Sequence, residues 1–337
     1  MRKLLTLFVC LSALFVARTT WGQADLSALL KGSQADANYL AQGYLTPALN
    51  AIGSGLNQGW YNTAGTHKKF GFDLTISLSS MQFPTDDSYF TVDNSKLSNL
   101  RLVSPLNPGS TTVGQVPTFV GPETTSVYGY KDPLIPGTFN GPPGVDISQL
   151  PLGGLPLPMV NLGLGIPVVG DVKIRWVGYN ASGGAKVNLI GFAVQHDIKQ
   201  HIPGIKEVPF DLSALIGYTS FSSEVGFDAA NPGQIGKSDF SATTIQGLIG
   251  KKFSVLTVYG GIGYNFSSGT FKASGTYDTG LPAPADKMTD PLNISSSVSG
   301  PRFTGGLRLK LAIFTLHGDY TFQRYNTITV GFGIAVR

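Results

Sequence analysis

The chain has 337 residues, and only 13% of them are charged, against about 25% in an ordinary soluble domain. Its 24 Lys and Arg stand against 20 Asp and Glu, which leaves no basic patch to argue for nucleic acid. A single cysteine, Cys10, excludes a disulfide framework and zinc-ribbon spacing.

Arg2 and Lys3 precede an apolar run from Leu4 to Val16, with small residues toward Gly22. That pattern predicts a secretory signal peptide over residues 1–22, cut near Gly22 and Gln23. The run is too short to cross a bilayer as a helix, which takes about 20 residues. Cys10 stands inside the run, whereas a lipid-bearing cysteine would close it. Cleavage removes the cysteine and three basic residues but no acid, leaving a mature net charge of +1. No later stretch reaches the roughly 18 consecutive apolar residues of a transmembrane helix. An exported, charge-poor chain with 43 glycines that enters a membrane then requires a closed barrel, in which strands satisfy one another's backbone groups.

Residues 23–66 are polar and Ala-rich, with helical potential from Ser33 to Ala51 and then Gly53, Gly55 and Gly59. They predict either a plug folded into a barrel or a short helix capping it from below, and the second is favoured. From residue 67 to 337 the pattern is that of strands. Phe70, Phe72, Leu74, Ile76 and Leu78 alternate with Gly71, Asp73, Thr75, Ser77 and Ser79, an apolar face opposite a small or polar one. Weaker strands are read at 157–166, 172–180, 185–195, 208–220, 239–250 and 253–266. The last three, near 302–311, 314–323 and 327–337, alternate clearly. In 327–336, Ile328, Val330, Phe332, Ile334 and Val336 oppose Thr327, Thr329, Gly331, Gly333 and Ala335. With the last strand running toward the periplasm, the short connections mostly fall on that side. The long ones, at 84–156, 221–238 and 267–300, fall outside.

Residues 84–156 hold eleven of the 21 prolines. A loop of this length is usually functional. Its apolar residues Leu134, Ile135, Phe139, Val145, Ile147 and Leu150 predict a lid that folds over or into the barrel, with extra hairpins that could raise the strand count. Residues 196–207 predict an interfacial turn, with Ile198, Ile202 and Ile205 on one side. His196 and His201, five apart, are poorly spaced as ligands on one helix, and no metal or cofactor is expected.

The alternation turns Asp73, Lys173, Arg175, Arg308, His317 and Asp319 inward as lumen-lining candidates. His317 and Asp319 lie two apart on one strand, about 7 Å between side chains, too far for a direct hydrogen bond. No serine stands in a nucleophile elbow. The pair reads as lumen wall, and no enzyme is expected. Gly260, Gly261 and Gly263 have no following helix to make a phosphate loop and read as sites of close packing.

The stretch from Gly55 through Trp60 to Ala64, leading into Phe70–Leu74, resembles an uncharacterised family of Bacteroidota outer-membrane proteins, as do Pro117–Pro122 and His201–Phe210. The layout is more distantly similar to FadL-type channels for hydrophobic compounds. That likeness implies 14 strands, an N-terminal plug and an apolar pocket near the outer mouth. Ten strands are read here, and no Asn-Pro-Ala stands at the mature N-terminus.

The expected fold is thus all-β: an antiparallel transmembrane barrel of about 10–14 strands behind a short N-terminal helical segment. The expected function is a passive channel or binding barrel for small hydrophobic or amphiphilic solutes. The alternative is a structural barrel anchoring an envelope complex without transport. Outer-membrane lipid is the expected partner, with a hydrophobic solute or an envelope protein beside it.

Overall fold

The computed structural model describes residues 28–180, 185–227, 231 and 233–336. The expected signal peptide lies outside these residues. Ten strands close an antiparallel barrel. They are β1 (Phe72–Met81), β7 (Leu155–Ile166), β8 (Gly170–Asn180), β9 (Lys186–Asp197) and β10 (Asp211–Gly226). The others are β11 (Ile235–Phe253), β12 (Leu256–Ser274), β15 (Leu292–Leu311), β16 (Phe314–Phe322) and β17 (Thr327–Val336). Strand β1 closes the ring by pairing on both edges, Phe72 opposite Val336 on one side and opposite Leu164 on the other.

The alternation explains the wall. Outward residues such as Leu74, Trp176, Ile249, Ile262, Leu307 and Phe332 are exposed, while their small or polar neighbours turn in. An apolar surface that rings the molecule is far larger than the patch a soluble monomer tolerates. No helix among the described residues is long and apolar enough to cross a membrane.

The wall is uneven. Strands β10, β11, β12 and β15 run 16 to 20 residues, whereas β1, β16 and β17 run 9 or 10. The long strands extend well past the expected segments at the end of the long loops. In that extension the apolar phase switches sides. On β15, Phe303 and Leu307 face out, but Leu292 and Ile294 are buried on the inner face. On β12, Phe266 faces out, while Phe271 and Ala273 join the interior.

What they cover is a folded cap. The segment between β1 and β7 forms β2 (Tyr89–Asp93), β3 (Leu100–Ser104), β4 (Val113–Pro117), β5 (Val127–Tyr130) and β6 (Thr138–Asn140). Their two small sheets, β2-β4 and β3-β5-β6, stand apart from the barrel and add no strand to it. A hairpin of β13 (Thr276–Asp278) and β14 (Lys287–Thr289) follows β12. Leu100, Leu102, Val116 and Tyr128 of the cap pack in one core with the extended wall and with helix α1 (Gln34–Gly55).

Helix α1 begins at the cap and descends inside the barrel, rather than capping it from the turn end. Ser33 caps it by accepting from the Asp36 N–H at 3.1 Å. Asp36 is fully buried, and its carboxylate accepts from the backbone N–H groups of Asn99 at 2.8 Å and Leu100 at 2.9 Å, tying helix to cap. Small residues let the helix fit a narrow lumen. A Cβ at Gly53 would lie 2.6 Å from Ser267 Oγ, and one at Gly55 would lie 2.6 Å from Met81 Sδ.

Candidate functional site

Strand β15 pairs with β12 along almost its whole length but with β16 only from Phe303 onward. Its upper edge therefore has no strand partner, a liability that sheets normally cover. Helix α1 covers it with amide side chains one turn apart. Asn38 accepts from the Asn293 N–H at 2.8 Å and donates to Pro291 O at 2.8 Å. Gln42 donates to Ser295 O at 2.9 Å, and Gln34 donates to Asp290 O at 2.9 Å. The i, i+4 rise of a helix, about 6 Å, matches the two-residue repeat of a strand, about 6.8 Å.

Below the helix, residues 56–71 run as coil down the lumen to β1. Such a coil carries backbone carbonyls that need donors, and the wall supplies them. Arg175 is 0% exposed and donates through Nη1 to Leu56 O at 2.9 Å, through Nη2 to Gln58 O at 2.8 Å, and through Nε to Asn161 Oδ1 at 3.0 Å. Its guanidinium lies 3.4 Å from the centroid of the Trp60 ring. Arg302 donates to Asn57 O at 3.0 Å and to Gln58 Oε1 at 2.8 Å. Lys173 donates to Trp60 O at 3.0 Å, Asn161 to Gly59 O at 2.8 Å, and Gln195 to Thr63 O and Ala64 O at 3.1 Å each. Near the exit, His67 N donates to Asp171 Oδ1 at 2.8 Å, and its Nδ1 lies 2.9 Å from Asp171 Oδ2.

Trp60 also rests on the wall where two strands carry glycine. A Cβ at Gly217 would meet the indole Nε1 at 2.8 Å, and one at Gly191 would meet the ring at 3.0 Å. Tyr61 and Ala64 pack with Ala193, Leu215, Leu248 and Tyr259 beneath it. Gly261 makes room in the same way, since a Cβ there would lie 2.6 Å from the Tyr61 hydroxyl.

The six charged or imidazole candidates fall into two groups. Lys173 and Arg175 hold the coil directly. Asp73, Arg308 and His317 are buried nearer the strands' turn end, where Asp73 Oδ2 accepts from the Thr75 hydroxyl at 3.1 Å. Asp319 accepts from the Tyr259 hydroxyl at 2.9 Å and makes no hydrogen bond to His317. Arg302, Gln195, Asn161 and Trp60 complete the site without having been candidates. Arg302 shares the inward phase of Arg308 on one strand, so the alternation that selects the one selects the other.

The lid candidates stay outside the lumen. Leu134 is 86% exposed and Val145 is exposed; Ile135, Ile147 and Leu150 are half-buried in the loop. Phe139 stacks with Tyr128, ring centroids 5.8 Å apart, within the cap. Tyr128 is buried in the cap, and that burial pushes its hydroxyl up to about 12. In the turn after β9, the rings of His196 and His201 bring their Nε2 atoms to 2.9 Å, closer than five-residue spacing on a helix allows.

A closed ten-stranded antiparallel barrel with an apolar outer band, closed within by its own N-terminal segment, belongs to the architecture of outer-membrane β-barrels. The chain itself belongs to a family of unknown function, DUF6588, whose profile matches residues 1–336. No curated protein matches it. Among solved structures it is similar to the Yersinia pestis attachment invasion locus protein Ail in complex with the heparin analogue sucrose octasulfate, at 8% identity over 80% of this chain and 100% of that one, with a TM-score of 0.29. It is also similar to the translocator domain of the autotransporter NalP from Neisseria meningitidis, at 11% identity over 86% and 93% of the two chains, TM-score 0.33. The Salmonella typhi OmpF complex with daunomycin matches at 10% identity over 82% and 99%, TM-score 0.18. Likeness of this degree goes no further than the barrel.

Proposed function

We propose that the protein is a sealed outer-membrane barrel that anchors a folded surface cap for an envelope partner, with no open path for solute. The apolar band spans the bilayer, the short turns face the periplasm, and the cap stands outside. One observation carries the sealed reading: fully buried Arg175 grips the coil at Leu56 O and Gln58 O while stacking on Trp60. A plug meant to leave easily would not tie so many of its carbonyls to wall donors. Each tie broken without replacement leaves a buried polar group that costs about 1–3 kcal/mol.

A channel for small hydrophobic or amphiphilic solutes is the weaker reading. It draws on an apolar lid folding over or into the barrel, and those residues lie in the cap and its outer loop, outside the lumen. A hollow of about 520 Å³ does open on strands β8 to β11, but most of the side chains around it, among them Lys186, Asn188, Glu224 and Asp239, are polar or charged.

Planar-bilayer recording tests the proposal. The intact protein is expected to give no stable conductance, and a variant lacking residues 28–60 is expected to conduct. Steady open-channel current from the intact protein would overturn it.

A further inference from the structure

The outer face of the wall changes character toward the cap. Ile174 on β8, Phe192 on β9, Tyr218 on β10 and Phe266 on β12 belong to one row of paired residues, joined through Thr243 on β11. All four are exposed. Rings at this level form the girdle that marks a bilayer interface. The next row toward the cap crosses β10, β11, β12 and β15 as Ser220, Ser241, Ser268 and Ser297. The row beyond it reads Asn188, Ser222, Asp239, Thr270 and Ser295 across β9 to β15. These residues keep the outward phase, so the apolar face gives way to hydroxyls where the strands leave the bilayer.

Two hollows open on this hydroxyl face. One, of about 520 Å³, lies against Asn188, Ser222 and Glu224, and the other, of about 480 Å³, against Ser220, Ser241, Ser268 and Ser297. Asp239 lines both. Volumes of about 300–1,000 Å³ are those of small-molecule sites. The cations at the first hollow are spent within the chain, Lys186 on Glu224 at 3.4 Å and Lys237 on Asp239 at 3.6 Å. The second hollow has no cation among the described residues that line it. Neither offers a free positive charge to a phosphate or a sulfate. Both offer groups that donate as well as accept, such as the Ser241 and Ser268 hydroxyls, 3.0 Å apart. The complement of such a surface is a sugar, whose neighbouring hydroxyls also donate and accept. Phe221 and Phe240 line the second hollow as well, adding apolar surface for the C–H face of a sugar ring.

We propose that this face seats the saccharide of an outer-leaflet glycolipid, with sugar hydroxyls on Ser241, Ser268 and Asp239 and an acyl chain along Tyr218 and Phe266 below. An open hollow holds a free sugar weakly, since few groups surround it. A sugar tethered in the same leaflet binds at a far higher effective concentration. The inference rests on the reading that the apolar belt spans a bilayer with the cap outside, and it does not depend on whether the lumen is sealed.

The test uses the full chain refolded in lauryldimethylamine oxide micelles, whose headgroup carries no sugar. Folding is read by heat-modifiable migration on a gel. Affinity is read by displacement of fluorescent lipopolysaccharide with unlabelled lipopolysaccharide, with lipid A lacking the core saccharide, or with the released core saccharide. Whole lipopolysaccharide is expected to bind several-fold tighter than lipid A, and the preference should persist at high salt. In the variant Asp239→Ala, Ser241→Ala, Ser268→Ala, folding should persist, and affinity for the whole lipid should fall toward that of lipid A, by roughly 2- to 10-fold for each hydrogen bond lost. The single variant Ser268→Ala, at an exposed position, repeats the test with the least change to the fold. Equal affinity for lipopolysaccharide and lipid A, or folded variants that keep the wild-type preference, would overturn the proposal. A preference abolished by salt would overturn it in favour of phosphate recognition. Released saccharide binding as tightly as the whole lipid would overturn the leaflet source in favour of a soluble glycan. Failure of the folded chain to insert into phosphatidylcholine vesicles would instead overturn the membrane reading, and the glycolipid site with it.

Discussion

Arg175 is the residue on which the interior turns. A guanidinium taken out of water is very costly unless its donors are satisfied. Here three go to Leu56 O, Gln58 O and Asn161 Oδ1, and the flat face rests on Trp60. Arg175→Met keeps much of the volume but orphans Gln58 O and leaves Leu56 O with the Thr219 hydroxyl as its donor. We expect it to lower unfolding stability by about 1–3 kcal/mol in a denaturant titration, the cost of the one orphaned carbonyl. Gly217→Leu acts on the indole itself, because its Cβ would meet Trp60 Nε1 at 2.8 Å. In a Trp176→Phe background the emission of the variant is expected to shift to the red as Trp60 leaves its seat. An unchanged spectrum would mean that the indole does not sit there. Strict alternation with Ile174 and Trp176 made the inward course of Lys173 and Arg175 legible from the chain alone. Trp60 was not legible as their partner, because coil has no periodicity from which to infer which wall it faces.

At the scale of elements, the free edge of β15 and the helix that guards it form one unit. Asn38→Leu removes the acceptor of the Asn293 N–H and the donor to Pro291 O. Hydrogen exchange at Asn293 and Ser295 is expected to accelerate, with exchange in the lower part of β15 unchanged. Asp36→Ala strips the N–H groups of Asn99 and Leu100 of their buried acceptor. Limited proteolysis should then cut the cap between residues 82 and 154 while the barrel stays intact; equal resistance in the variant would contradict the link between helix and cap. All ten barrel strands were legible from the chain, yet four were read too short. The reason is the switch in phase: within the bilayer the apolar residues face lipid, and above it they face the cap core. A reading that follows one phase stops at the switch, near Phe303 on β15 and Phe266 on β12. The helix was legible as a helix from its Ala-rich run, but its place inside the barrel was not. Its contacts are amides and small residues, which a chain-level reading assigns equally well to solvent.

The whole molecule joins three regions of different character: an apolar belt, a polar interior filled by the chain's own N-terminal segment, and a cap with its own core. The belt and the loop asymmetry follow from composition and alternation. The filling does not, since it depends on a close fit between coil carbonyls and wall donors far apart in sequence. The central claim is that residues 34–71 occupy the lumen of the folded barrel. The most direct measurement is a disulfide trap between helix and wall, with Cys10, the single cysteine of the chain, replaced by Ser. A Cβ at Gly53 would lie 3.0 Å from the Ser267 Cβ, within a small adjustment of the separation a disulfide needs. The double variant Gly53→Cys, Ser267→Cys is expected to cross-link almost completely on mild oxidation of the folded protein, giving a faster-migrating band that reduction reverses. A folded, heat-modifiable barrel in which these two cysteines stay free thiols would contradict the account.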